Sequence, residues 1–71
     1  MSDPSRDWRL AQTMLRQRLF ADRHIRGLTQ AQVAAGTGMS RVRYCRLELG
    51  ISRIRDTDLA ALDEFYRQPL V

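Results

Sequence analysis

The chain has four glycines, all between residues 27 and 50. Their placement constrains the fold more than any other feature. Gly27 follows a long stretch with no helix breaker. Gly36 and Gly38 lie together in "GTGM", and Gly50 closes "RVRYCRLELG". Glycine readily takes the left-handed backbone that ends helices and forms tight turns. The middle of the chain therefore holds two short helices joined by a glycine turn, and longer helices belong in the flanks.

Signals at the other boundaries agree with this division. In "DPSRDW", Asp3 caps a helix and Pro4 suits its first position, where a missing N–H costs nothing. Helix is favoured from there to Ile25, with Trp8, Ala11, Leu15 and Leu19 recurring three and four apart as one apolar stripe. Trp8 either covers the core or belongs to a dimer interface. Thr29 caps "QAQVAAG", with Val33 and Ala34 facing inward. Ser40 caps "RVRYCRLEL". "ISRIR" is a loop. Asp56 or Thr57 caps a fourth helix with apolar positions Leu59, Leu62, Phe65 and Tyr66, and Pro69 ends it. "PLV" is a candidate fifth element. β-Branched residues never alternate over several positions, so no strand is predicted. The expectation is an all-α, compact domain of four to five helices over residues 1–71, with a helix-turn-helix at 29–49.

Seventy-one residues bury a small core, which a second subunit would naturally supplement. Cys45 cannot form an internal disulfide, and Cys45 with His24 cannot supply four zinc ligands. There is no apolar run of about 18 residues and no apolar signal-peptide core. The expectation is a cytoplasmic, soluble protein with no membrane partner, no metal, no cofactor and no small-molecule ligand. His24 has no nucleophile in a recognisable arrangement, and no glycine loop is built to cradle phosphate, so an enzyme is not expected.

Charge is unevenly placed. The 12 basic residues are all arginine. Residues 13–55 hold nine of them against Asp22 and Glu48, whereas residues 56–71 hold four acids against Arg67. Such a block is either a polyanion-binding face or a solvated basic surface. The third helix separates the two readings. At 100° per residue, Arg41, Val42, Cys45 and Arg46 share one face. Tyr44 and Leu47 lie opposite, with Glu48 at their edge, and Arg43 is turned aside toward a phosphate. An α-helix fits the major groove, where arginine donates bidentately to guanine and small apolar side chains meet a thymine methyl.

The stretch "GLTQAQVAAGTGMSRVRYCRLELG" resembles the helix-turn-helix of the Xre family, which includes the phage repressors and Cro proteins. Gly27, Leu28, Thr29, Gln30, Val33, Ala34, Gly38, Met39, Ser40, Leu47, Glu48 and Gly50 match the family pattern without a gap, and with its flanks the resemblance covers about residues 15–66. It implies a Cro/repressor-like fold. It also implies base reading by Arg41, Val42 and Arg46, with Cys45 between them. Phosphate contacts are implied for Gln30 and for the loop arginines Arg53 and Arg55, and Ser40 and Arg43 are further candidates. Gln30 otherwise serves only to cap its helix. The resemblance also implies an ion pair between Arg23 and Glu48. The sequence departs from the pattern at Leu49, where a polar residue is usual. It departs again at Tyr44, which is bulkier than the usual residue and is expected to tilt its ring or send its hydroxyl to the surface. The first helix runs about ten residues longer than in the shortest members.

The expected function is sequence-specific binding of double-stranded DNA by a homodimeric transcriptional repressor, of a kind in which autoregulation is common, reading an inverted-repeat operator. Leu62, Phe65, Tyr66 and Leu70, within residues 56–71, are the expected dimer contact. The alternative is an antitoxin-like module that uses the same fold to bind a partner protein.

Overall fold

The computed structural model describes the backbone of residues 4–68 and side chains from Trp8 onward. Four helices follow one another: α1 (Pro4–Ile25), α2 (Gln30–Thr37), α3 (Arg41–Leu49) and α4 (Asp56–Arg67). No strand occurs among the described residues. The fold is all-α. The expected cap at Asp3, the stop at Pro69 and the element at "PLV" lie outside the described residues.

Local chemistry accounts for the boundaries of the two central helices. Thr29 Oγ1 accepts from the Gln32 N–H at 3.1 Å, and Gln32 Oε1 accepts from the Thr29 N–H at 2.8 Å. Two otherwise orphaned donors are thereby satisfied. Ser40 Oγ accepts from the Arg43 N–H at 3.1 Å. Gly38 and Gly50 end α2 and α3 in the left-handed region, at φ +75° and +77°. The residue after each donates back across the last turn, Met39 to the Ala34 carbonyl and Ile51 to the Arg46 carbonyl, both at 3.0 Å.

Gly36 behaves differently. It was expected to help make the turn, yet it lies inside α2. The Phe65 ring of α4 packs directly on it, and a Cβ at this position would overlap the ring. Gly36 thus sets how closely α2 and α4 approach. Alanine here gains up to about 1 kcal/mol of helix propensity but meets an overpacking cost of about 1–3 kcal/mol. Gly36→Ala is expected to lower the urea midpoint, and adding Phe65→Leu to restore it. A Gly36→Ala protein as stable as the wild type would remove this role.

The core is Leu19, Val33, Ala34, Tyr44, Leu47, Ile54 and Leu62, with Leu15, Leu28, Met39, Leu59, Phe65 and Tyr66 packed around it. Two expectations are corrected here. The inner stripe of α1 runs through Gln12 rather than Ala11, which is exposed. Gln12 Nε2 donates to the Ile54 carbonyl at 3.0 Å, and Gln12 Oε1 accepts from the Ile54 N–H at 2.8 Å. One amide thus pins the loop after α3. Second, Leu62 is 3% exposed and Phe65 is seated on Gly36. Leu62 fills the monomer's own core and is not free for a dimer contact, and Phe65 packs partly buried against that core. Tyr66 is also partly buried, and Leu70 lies outside the described residues. Large exposed apolar side chains sit instead on α1, at Leu10, Met14, Phe20 and Ile25, and on or just after α3, at Val42, Leu49 and Ile51.

The cap of α4 is Arg55 rather than Asp56 or Thr57. Asp58, in the first turn, accepts from the Arg55 N–H at 2.9 Å. No helix among the described residues is long and apolar enough to cross a membrane. No group of three potential metal ligands occurs among them either.

Candidate nucleic-acid interface

The two faces of α3 are sharply different. Tyr44 and Leu47 are fully buried, and that anchors the helix. On the opposite side, Arg41 and Arg46 are exposed, Val42 is 60% exposed and Cys45 is half-buried between them. Leu49, the last residue of α3, and Ile51, just past its end, are also exposed.

Glu48 fixes the orientation of α3. Its side chain is 4% exposed. Arg23 donates to it through Nε at 2.7 Å and Nη2 at 3.2 Å. Gln30 Nε2 donates at 2.7 Å and the Tyr44 hydroxyl at 3.1 Å. Arg23 also donates through Nη1 to the Leu28 carbonyl at 3.1 Å. One carboxylate therefore joins α1, the start of α2 and the inner face of α3. A buried charge is tolerated only with such partners.

Burial alone would raise the Glu48 pKa. The hydrogen bonds from Arg23, Gln30 and Tyr44 outweigh it and hold the carboxyl below its ordinary value. The hydrogen bond to Glu48 raises Arg23. Burial, then the charge of Glu48, pushes the Tyr44 phenol well above its usual range. Of the two placements expected for Tyr44, the exposed hydroxyl is ruled out, because the hydroxyl turns inward to Glu48. Gln30 enters the same cluster. The amide nitrogen expected at a phosphate is hydrogen-bonded to Glu48, and Gln30 does not cap α2, since Thr29 does.

Arg43 also departs from its expected place. Its Nη2 donates to both oxygens of Asp58, at 2.8 and 2.9 Å. Asp58 is 5% exposed. In the sequence, Asp58 belongs to the acidic segment 56–71, which follows the basic block. Folding instead brings the first turn of α4 against α3, where Asp58 neutralises Arg43.

A division among the arginines follows. Arg18, Arg23, Arg26 and Arg43 each have a carboxylate partner. Arg26 also lies over the Tyr66 ring, 4.3 Å from its centroid. Among the described residues, Arg41, Arg46, Arg53 and Arg55 have none. Arg53 stacks its guanidinium over Trp8, 5.1 Å from the ring centroid. Trp8 is 43% exposed.

Sequence reasoning missed Gln12, Asp58 and Arg16, whose Nη1 donates to the Leu49 carbonyl at 3.3 Å. Only Gln12 left a signal, as a polar residue four after Trp8 and three before Leu15, on the same side of the helix as both.

Searches of curated proteins and of solved structures return no match. A family described as "Helix-turn-helix domain" matches residues 8–71, nearly the whole chain and all four helices. This is the same broad class as the Xre and Cro-like proteins. The chain belongs to the helix-turn-helix domain family.

Proposed function

We propose that this protein is a sequence-specific, double-stranded DNA-binding transcriptional regulator, acting as a homodimeric repressor on an inverted-repeat operator. The observation that carries the reading is the state of α3. Its inner face is locked by the core and by Glu48, while Arg41, Val42 and Arg46 project without protein partners. A rigid helix presenting two uncommitted arginines has the chemistry of major-groove readout. In this reading Cys45 is the small residue that permits close approach. Arg53, Arg55, Ser40 and the second amide N–H of Gln30 take phosphates, and Arg43 acts mainly through Asp58. Repression by occupying a promoter needs no further domain, and a homodimer doubles the few base pairs that one α3 reads.

A partner-protein module is the second reading. Val42, Leu49 and Ile51 favour it, since all three are large, apolar and exposed near the same face. Salt dependence separates the two. Fluorescence anisotropy with a random-sequence duplex is expected to show affinity falling steeply as salt rises. Arg53→Ala should lower the slope by about one unit. Sedimentation with DNA present at micromolar protein is expected to give a dimer. A monomer would sink the homodimer, and no duplex binding at low salt would favour the partner-protein module.

A further inference from the structure

A second set of arginines lies away from the exposed face of α3. Arg9 and Arg16 on α1 and Arg53 in the loop after α3 line a groove of about 330 Å³ with Trp8. Among the described residues, none of the three has a carboxylate partner. Among the described residues, no acidic residue lines the groove. The other α1 arginines contrast with these, because Arg18 pairs with Asp22 and Asp63, and Arg23 with Glu48. At 100° per residue, Trp8, Arg9, Gln12 and Arg16 fall on one side of α1, and Arg18 falls on the other.

The groove has fixed walls. Gln12 holds the Ile54 backbone by two hydrogen bonds. Arg16 bonds the Leu49 carbonyl, and the Arg53 guanidinium rests on the Trp8 ring. Thr13 and Ser52 add hydroxyls. Gly50 and Ile51, at the end of α3, form part of the lining, so the groove continues from the recognition helix.

We infer that this groove holds the phosphodiester backbone of duplex DNA flanking the bases that α3 reads. The inference rests on the DNA-binding reading above and extends it with a phosphate site built by the first helix. Three guanidinium groups with no acidic neighbour among the described residues attract a polyanion. Stacking on Trp8 keeps Arg53 ordered rather than freely solvated.

Trp8 is the single tryptophan, so its fluorescence reports on the groove. The experiment titrates wild type and Arg9→Gln with a random-sequence duplex, following Trp8 emission and duplex anisotropy together across a salt series. Arg9 is exposed, and thermal melting checks that Arg9→Gln folds like the wild type. Trp8 emission is expected to change in step with anisotropy and to recover with salt. Arg9→Gln should lower the salt slope by about one unit and shrink the emission change. Anisotropy that rises while Trp8 stays silent, with an unchanged slope for Arg9→Gln, would overturn the groove and leave the DNA reading standing. A Trp8 response to inorganic phosphate but not to duplex would overturn it in favour of a small-anion site. No duplex binding by any readout would remove both.

Discussion

Replacing Glu48 with alanine is expected to cost about 3–5 kcal/mol of folding stability, because it breaks a buried ion pair from one side. The substitution removes four hydrogen bonds at once and leaves Arg23, 13% exposed, with only the Leu28 carbonyl as acceptor. The Tyr44 hydroxyl loses its acceptor at a fully buried position. A domain of this size has little stability to spare, and each kcal/mol moves the melting temperature by about 4–8 °C. Replacing both partners, Arg23→Met with Glu48→Met, is expected to cost less than Glu48→Ala alone, since no uncompensated charge remains. Urea denaturation of the three proteins checks the order. Glu48→Ala within about 1 kcal/mol of wild type would show that the cluster is not structural.

The same cluster predicts how stability changes with pH. The folded-state pKa of Glu48 is depressed. Between that value and the ordinary carboxylate pKa of about 4.3, the unfolded chain binds more protons than the folded one. Stability is therefore fully present above the ordinary value and is lost as pH falls toward the folded one. Tyr44 has the opposite sign. Its pKa is raised, so stability is fully present below about pH 10 and declines above it. Glu48→Gln is expected to flatten the acid limb of a urea-midpoint profile, and an unchanged limb would assign acid sensitivity to other carboxylates.

Arg41→Ala and Arg46→Ala are each expected to cost about 1–3 kcal/mol on the preferred DNA site and to relax base preference. Together they should bring binding close to its level on random sequence. Neither should shift the melting temperature appreciably, because both side chains are exposed and make no ion pair among the described residues. Arg43→Ala should behave in the reverse way. It leaves Asp58 buried with the Arg55 N–H as remaining partner. A loss of about 1–2 kcal/mol in stability is expected, with a smaller effect on DNA. Parallel binding and melting curves separate the roles. Arg43→Ala with full stability and lost base preference would assign Arg43 to base reading instead.

The helices were legible because their boundaries are written locally. Thr29 with Gln32, Ser40 and the stops at Gly38 and Gly50 need only near neighbours. The inner face of α3 was equally plain, since Tyr44 and Leu47 follow from one helical period. Contacts between distant segments were not legible. Asp58 looked like a solvated acid at a helix start until α4 packed against α3 and gave it to Arg43. Gly36 read as part of a turn because only the Phe65 ring, far along the chain, reveals why no side chain fits. Leu62 and Phe65 looked like spare apolar surface because a linear pattern does not show which side chains share one small core. The Arg23–Glu48 contact was anticipated from a family resemblance, but the arrival of Tyr44 and Gln30 at the same carboxylate depends on the packed geometry.

Selection of binding sites from random duplex DNA at near-physiological salt tests the central claim most directly. The account predicts an enriched inverted repeat with half-sites about one helical turn apart, guanine-containing where Arg41 and Arg46 reach, and lost when both are alanine. Salt-sensitive binding without enrichment, the same for wild type and the double variant, would contradict it. The exposed arginines of α3 would then be a general phosphate grip, and a protein partner would become the leading account.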